Sequence, residues 1–334
     1  MKKLFLTMVA LVVAAMSYAQ NTLVATLSHG EDISMFYGTY ALRDAMNAAV
    51  SGDVINLSGG SFIGTTINKA IALRGAGIDA ADPTYITGEF IICIPSDDPN
   101  RLSMEGIRTT ATTIIRNCTL RNPYYLKCQF WGFTQESGGY TVNGTFVDCK
   151  IRNHYAFRNG GTLQFINCYV RHFTNEAGAN GSAAFENCVI LSYSNGYNLE
   201  YQTCSQHRNC IFYVADSNVN CTLPSTSMAS NCISIGYRSN FFSGNLSNNN
   251  NHSATFEEVF RTFRGEYSEI ETFELTDEAK EEYLGYDGTE IGMYGGPIPY
   301  DPTPSYPRIT KMNVAKKTTA DGKLSVEIEV SAAE

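Results

Sequence analysis

Three stretches near the middle of the chain share one pattern: TFVDCKIRN (145–153), QFINCYVRH (164–172) and AFENCVILS (184–192). An Asn or Asp stands directly before each cysteine, and the Asn–Cys pair recurs at Cys210 and Cys232, so these five cysteines follow one another at steps of 19 to 22 residues. IIRNCTLRN (114–122) has the same pair, and LKCQFWG around Cys128 divides the long step that follows it. A repeat this short, with one strand register per turn, is typical of a stacked β-solenoid.

The residues around each cysteine supply both a bend and a core. Asn and Asp tolerate the left-handed backbone conformation of a sharp bend, and strands in successive turns lie about 4.8 Å apart. We therefore expect the Asn and Asp residues to stack in a ladder whose side-chain amides bond along the stack. The cysteines and the residues two positions after them should point inward, and so should the bulky residues three positions before them: Tyr125, Phe146, Phe165 and Phe185.

The first 20 residues, MKKLFLTMVALVVAAMSYAQ, combine two lysines, an apolar run and a small-residue cleavage pattern ending at Ala19. They predict a signal peptide over 1–19 and a secreted protein that is periplasmic, extracellular or at the cell surface. No cysteine follows the apolar run to carry a lipid anchor, because the first is Cys93, and no later apolar run could span a membrane. A net charge of −9 argues against a nucleic-acid partner, and 12% aromatic with 17% charged residues argues against disorder.

The cysteines of an exported chain first suggest disulfides, since all ten follow the signal peptide. Side chains in register on parallel strands point the same way, however, and this gives the wrong dihedral angle for an S–S bond. The sequence therefore predicts free, buried thiols at Cys149, Cys168, Cys188, Cys210 and Cys232. Cys204 and Cys221 fall outside the register, and whether they form a disulfide is left open.

Outside the repeat, the sequence divides into a capping end and a closing end. Residues 20–52 contain a helical pattern with Leu42, Ala45, Met46 and Ala49 on one face, as a cap for the solenoid. The later segments are coils over 53–244, a closing segment with short helices over 245–296, a Pro-rich linker over 297–307 and a β-hairpin or partial β-sandwich module over 308–334. The predicted fold class is all-β: a right-handed parallel β-helix solenoid with an N-terminal capping helix and a small C-terminal β-hairpin appendage.

Three motifs carry a resemblance to a known group. ALRDAMNAAVSGDVINLSGGSF (41–62) resembles the opening of right-handed parallel β-helix proteins of the pectin-lyase-like superfamily, and the NC-x-[IVL] rungs from 117 to 233 resemble their coil turns. DGTEIGMYGG (287–296) is similar to the closing motif of secreted β-helix proteins from Bacteroidetes-type bacteria. The resemblance implies the architecture and no catalytic residue, because the superfamily includes lyases, polygalacturonases and members with no known activity.

The position three residues after the cysteine should face outward, and in the first turns it holds cations and an aromatic ring. Stacked like charges repel one another unless solvent or an anionic partner relieves them. The pattern therefore suggests a strip that grips an acidic polysaccharide; the alternative is a solvated sheet face in which Arg stems lie on Tyr rings. The candidate ligand-binding residues are Arg121, Trp131, Lys150, Arg152, His154, Arg171 and His172.

Three functions follow as hypotheses. The first is a secreted protein that binds a polysaccharide or cell-surface glycan, or that is a structural protein of the cell surface. The second is a polysaccharide lyase or glycoside hydrolase, in which Lys150 or an Arg acts in β-elimination beside carboxylates folded in around Glu136 or Glu176, with Ca²⁺ bound. The third is an adhesin stalk. No other cofactor and no metal site is predicted, and enzymatic activity and oligomeric state are left open. The remaining histidines are interpreted as surface or turn residues: His29, His207 and His252.

Overall fold

The computed structural model shows a parallel β-solenoid, which confirms the fold predicted from the cysteine repeat. Within the part of the chain that the structure describes, there are three helices among many short strands. The residues that the structure describes are 23–136, 142–153, 155–157, 161–171, 173–175, 181–192, 205–214, 223, 227–236, 241–242, 250–264, 271–314, 321–323 and 326–331.

Three sheets form the walls of the solenoid. The first sheet has eleven strands, in spatial order Asp32–Tyr37, Val24–His29, Val54–Leu57, Ala72–Arg74, Ser103–Glu105, Tyr124–Leu126, Gly144–Val147, Gly161–Ile166, Gly181–Glu186, Ser205–Arg208 and Met228–Ser230. The second sheet has ten, namely Gly60–Ile63, Thr84–Thr87, Ile107–Thr109, Gln129–Phe130, Lys150–Ile151, Tyr169–Arg171, Val189–Ser192, Ile211–Val214, Ile233–Gly236 and His252–Ala254. The third sheet has six, namely Thr66–Ile67, Phe90–Ile92, Thr112–Ile115, Gly132–Gln135, Tyr155–Phe157 and Phe173–Asn175. Val24–His29 pairs antiparallel with both of its neighbours, Asp32–Tyr37 and Val54–Leu57. All other neighbouring strands in the three sheets are parallel.

The bend between the first and second sheets is left-handed in turn after turn. Lys127, Asp148 and Asn167 have φ angles of 52°, 53° and 52°, and the following turns repeat the value with Asn. The left-handed conformation predicted for Asn and Asp is therefore confirmed. We call this series the corner column; its members are Gly106, Lys127, Asp148, Asn167, Asn187, Asn209, Asn231 and Asn250.

The first predicted rung belongs to a different bend. Asn117 is also left-handed, with φ of 51°, but it follows the third-sheet strand Thr112–Ile115. Cys118 is therefore not in line with the cysteines that follow the corner column. Cys128 lies in line with Cys149, as predicted, because the residues that follow them, Gln129 and Lys150, are paired on neighbouring strands. The Asn–Cys pair thus marks left-handed bends in general, and this is why sequence reasoning assigned both bends to one ladder.

Aromatic rings fill the interior behind the first sheet. Tyr125, Phe146, Phe165 and Phe185 point inward, as predicted, and their rings stack face to face with centroids 4.6–4.9 Å apart. His207 continues the stack at 4.9 Å from Phe185 and is buried, so its interpretation as a surface or turn residue was wrong. Its Nε2 lies 2.9 Å from the Ser205 hydroxyl, which gives the buried imidazole a polar partner.

The predicted free thiols are confirmed. Each thiol donates to the carbonyl oxygen two residues before it, at 3.1–3.3 Å, and is buried. Cys204 and Cys221 lie outside the described residues. The thiol column comprises Cys128, Cys149, Cys168, Cys188, Cys210 and Cys232.

Iodoacetamide applied to the native protein is expected to leave the thiol column unlabelled. All six thiols are buried, which keeps the reagent away from them, and burial also raises the pKa of Cys128, Cys149 and Cys168 well above the ordinary thiol value, while only the thiolate reacts. Peptide mass spectrometry before and after denaturation measures this, with the half-buried Cys93 as the internal control that labels first. Labelling of column thiols in the native protein as fast as Cys93 would contradict the expectation.

Helices cover the solenoid as predicted. The helix Ala41–Ala48 buries Ala41, Leu42, Ala45 and Met46 against the first turns. Two short helices, Phe256–Val259 and Asp277–Glu282, begin at Thr255 and Thr276, whose hydroxyls accept from Glu258 N and Ala279 N. At the end of the described chain, the strands Arg308–Val314 and Val326–Ser331 pair antiparallel, as the hairpin pattern predicted.

A C-terminal segment runs along the corner column from Asn231 back to Lys127 and on to Glu105, and we call residues 284–306 the strap. Asn231 donates to Leu284 O at 3.1 Å, Asn209 accepts from Tyr286 N at 3.2 Å, and Asn167 donates to Ile298 O at 2.6 Å. Further along, Lys127 Nζ bonds Asp301 at 3.1 Å and Thr303 O at 2.5 Å, and Ser305 N donates to Glu105 at 2.6 Å. Gly296 passes so close to Asn187 that a Cβ there would lie 2.3 Å from its Nδ2.

Two predictions are corrected by the strap. Residues 297–306, predicted as part of a Pro-rich linker, are bonded to the corner column: Asn167 donates to Ile298 O, and Lys127 donates to Thr303 O. The side chains of Asn167, Asn209 and Asn231 bond the strap backbone, where sequence reasoning expected amides bonded along the stack.

Candidate functional site

The outward-facing residues of the second sheet change from polar to apolar halfway along the solenoid. The residue directly after each rung cysteine faces outward, and register places Arg108, Gln129 and Lys150 in line with Tyr169 and then with aliphatic residues. We call this line the outer column; its apolar half is Tyr169, Val189, Ile211 and Ile233. The change from polar to apolar marks where a protein cover begins.

The cover consists of residues 254–264 and 271–300 and makes a second hydrophobic core. The ring of Phe273 stacks on Tyr169 with centroids 4.7 Å apart, and Phe256 meets Tyr213 edge-on at 4.6 Å. Val259, Phe260, Phe263 and Leu275 are buried in the same cluster. The outward positions of the later turns are therefore interior residues and cannot contact a ligand.

Beyond the cover the outer face opens into a cleft of about 490 Å³. Its floor is the polar half of the outer column, and its walls come from the loop at 79–80, from residues 271–272 and from the strap. We call it the outer cleft; its lining residues are Asp79, Ala80, Arg108, Lys150, Glu271, Thr272, Tyr294, Tyr300 and Pro302.

Two cations in the outer cleft are held against aromatic rings. Lys150 is 4% exposed, and its Nζ lies 5.3 Å from the centroid of Tyr300. The guanidinium of Arg108 lies 5.6 Å from the ring of Tyr85, donates to its hydroxyl at 3.3 Å and lies 3.5 Å from Asp79. These contacts fix the positive charges in a partly dry site, where an anion is attracted more strongly than in water.

Carboxylates line the same cleft, Asp79 from the loop at 79–80 and Glu271 from the cover. Glu271 is 9% exposed, and its Oε1 accepts from the Thr262 hydroxyl at 2.9 Å and from Phe273 N at 3.2 Å. Burial, together with Glu274, Asp79 and other carboxylates, raises the pKa of Tyr294 to about 12, so its hydroxyl stays protonated and can donate. The outer cleft thus offers both cationic and anionic groups.

Three further sequence-predicted residues lie beside the cleft on the second sheet, and we call them its rim: Trp131, Arg152 and Arg171. Trp131 is 41% exposed, and the guanidinium of Arg152 lies 5.4 Å from its ring centroid. Arg171 is half-buried one turn further, beside the covered half of the face. Lys150, Trp131, Arg152 and Arg171 are therefore brought to one face, as the strip predicted.

Other predicted residues lie elsewhere. Arg121 is exposed on the short connection before the strand Tyr124–Leu126 and is not in line with Trp131, because the rung at Cys118 belongs to another bend; its place in the strip was wrong. His154, His172 and Glu176 lie outside the described residues. Glu136 accepts from Arg116 Nε at 2.9 and 3.0 Å at the end of a third-sheet strand, away from the cleft.

Sequence reasoning missed Arg108, Glu271 and Tyr300. A signal for Arg108 was present, since Gly106-Ile107-Arg108 occupies the positions of Asp148-Cys149-Lys150, with glycine in place of Asp at the left-handed bend. No comparable pattern marked Glu271 or Tyr300, because they reach the cleft from a non-repeating segment.

No protein family model, curated protein or solved structure matches the chain at a significant level. Within the described part of the chain, no cluster of three or more His, Cys, Asp or Glu side chains is arranged to hold a metal ion. Across those same residues, no helix has both the length and the apolar character needed to cross a membrane.

Proposed function

We propose that the protein is an exported β-solenoid that binds an acidic glycan, at the cell surface or outside the cell, through the outer cleft and its rim. One observation carries the proposal: the half-exposed Trp131, overlaid by Arg152, stands next to a cleft that holds Arg108 and Lys150 in fixed positions. An exposed indole offers a flat apolar surface for a sugar ring, and cations placed beside it suit carboxylate or sulfate groups.

The shape of the site supports an extended ligand. Arg108 and Lys150 are two turns apart with Gln129 between them, so their backbones are separated by about 9.6 Å along the solenoid axis. Rim and cleft together form a surface that crosses several turns. Binding sites of this kind combine apolar area with a few fixed polar groups, and these groups determine specificity.

Replacing Trp131 and Arg152 together by alanine is expected to weaken binding of an acidic polysaccharide about tenfold or more, since the variant loses both the ring on which a sugar stacks and the cation that pairs with its acidic group, and tenfold corresponds to about 1.4 kcal/mol. Affinity electrophoresis against a panel of acidic and neutral polysaccharides measures the loss. The matched control is Arg101→Ala with Tyr124→Ala, a cation–π pair at 4.8 Å on the first sheet. Equal affinity of both double variants would contradict the proposal.

A second candidate, a polysaccharide lyase, is favoured by the presence of Glu271 and Asp79 in the same cleft as Lys150. Carboxylates beside a lysine are the groups that β-elimination of a uronate requires, and oxygen ligands are what Ca²⁺ prefers. Incubation with acidic polysaccharides, with and without Ca²⁺, tests this through the ultraviolet absorbance of unsaturated uronates. New absorbance with the wild-type protein that is absent with Lys150→Met supports the lyase. Polymers that stay intact under all conditions contradict it and favour glycan binding or a stalk.

A further inference from the structure

The first sheet ends in an exposed apolar strand. In the strand Asp32–Tyr37, the side chains of Ile33, Met35 and Tyr37 are 66%, 58% and 61% exposed. They alternate along the strand and so share one face, and the Tyr37 hydroxyl donates to Met35 Sδ at 3.3 Å on that face. Three large apolar side chains in a row on an edge strand are unusual for a surface that contacts only water.

The backbone of the same three residues faces the open edge. Gly38 N donates to Leu23 O at 2.9 Å, and hydrogen-bonded pairs alternate along an antiparallel ladder. Residues 32, 34 and 36 therefore bond the neighbouring strand Val24–His29, whereas the N–H and C=O groups of Ile33, Met35 and Tyr37 point away from it. Among the described residues, no strand pairs with that side.

We propose that two copies of the chain pair antiparallel through this edge, with Met35 on the two-fold axis. In that register Ile33 of each copy lies opposite Tyr37 of the other, and the outward N–H and C=O groups of all three residues form hydrogen-bonded pairs across the axis. The same register places the six exposed side chains on one face of the joined sheets. Backbone pairing and apolar pairing thus select one self-complementary arrangement, as a two-fold interface requires.

The charges of the strand agree with this register. Asp32 of one copy falls opposite Gly38 of the other, so the carboxylates lie at the two ends of the pair and do not face each other. The strand DISMFY contains no Lys, Arg or Pro, the residues that commonly block pairing at exposed edges. Because a single strand pair falls below the roughly 1,200–2,000 Å² of stable interfaces, we expect a weak, concentration-dependent dimer.

Sedimentation velocity of the purified protein over a concentration series tests the proposal. We expect a reversible shift from monomer to dimer, and Met35→Lys should weaken it at least tenfold because it places two ammonium groups on the axis. The matched control is Met228→Lys, the same change at a 43% exposed position of the same sheet. A wild-type protein that stays monomeric throughout, or a dimer that both variants weaken equally, overturns the proposal.

Cross-linking tests the register independently. Met35→Cys is expected to form an intermolecular disulfide under a mild oxidant, because Cα atoms of a hydrogen-bonded pair lie about 5.5 Å apart, within disulfide range. Ser34→Cys is the control: in this register Ser34 lies opposite Phe36, so two such positions are about 8 Å apart and out of reach. Cross-linking of Ser34→Cys in preference to Met35→Cys overturns the proposed pairing.

Discussion

Replacing Phe165 by alanine is expected to lower the free energy of unfolding by about 3–5 kcal/mol. Its ring is fully buried and is sandwiched between Phe146 at 4.9 Å and Phe185 at 4.8 Å. Backbone hydrogen bonds between turns hold the strands in register, so the neighbouring rings cannot close the cavity. Denaturant unfolding followed by circular dichroism measures the loss.

Trp131→Ala is the control for this change, because it removes a larger ring from a rim position that is 41% exposed. We expect it to change the free energy of unfolding by less than about 1 kcal/mol, as is usual for surface substitutions. Similar losses for the two variants, or a loss below about 1 kcal/mol for Phe165→Ala, would show that the aromatic stack is not a stabilising element.

Asp148→Asn is expected to stabilise the protein at neutral and alkaline pH. Burial raises the pKa of Asp148 to about 7, although Lys127 and the backbone N–H of Asp301 oppose the shift. Because the folded-state pKa lies above the unfolded value of 3.8, the native state binds more protons between the two, and stability falls as pH rises from about 4 to about 7. Asparagine keeps the left-handed bend and removes this loss.

We expect a gain of about 1–3 kcal/mol at pH 8 that disappears near pH 4, because the amide does not ionise and so has no charge to bury. Thermal unfolding at several pH values measures it. Asn167→Asp is the reciprocal control: Asn167 donates to Ile298 O at 2.6 Å, so a carboxylate there should destabilise the protein at pH 8. A pH profile of Asp148→Asn that parallels that of the wild type would contradict the pKa argument.

The repeating part of the fold was predictable because one local pattern specifies it. An Asn or Asp at the left-handed bend, a small buried thiol after it and an aromatic residue three positions earlier recur in almost every turn, and all three occupy the predicted positions at Phe146, Asp148 and Cys149. Lys127 and His207 departed from the pattern, since the surrounding turns impose the conformation and burial that these residues do not favour by themselves.

The candidate site was only partly predictable, for a physical reason. Alternation along the strands indicated that Lys150, Arg152 and Trp131 face outward, but it could not indicate what covers the face. The cover and the strap come from a segment without a repeat, and the strap's contacts with Asn167 and Lys127 join residues more than 100 positions apart. The enclosure of Lys150 by Tyr300 is therefore a tertiary effect with no local signature.

The strap has a consequence for how the protein folds. A stack of turns with nearest-neighbour contacts alone can lose its turns one by one from either end. The strap bonds the turns from Asn231 back to Glu105, including a contact between residues 200 positions apart, so the loss of any of these turns loosens an element shared by the others. We therefore expect all-or-none unfolding, although a solenoid without such a segment would unfold gradually from its ends. We also expect the outer face of the second sheet to remain uncovered during synthesis until residues 254–306 have been made.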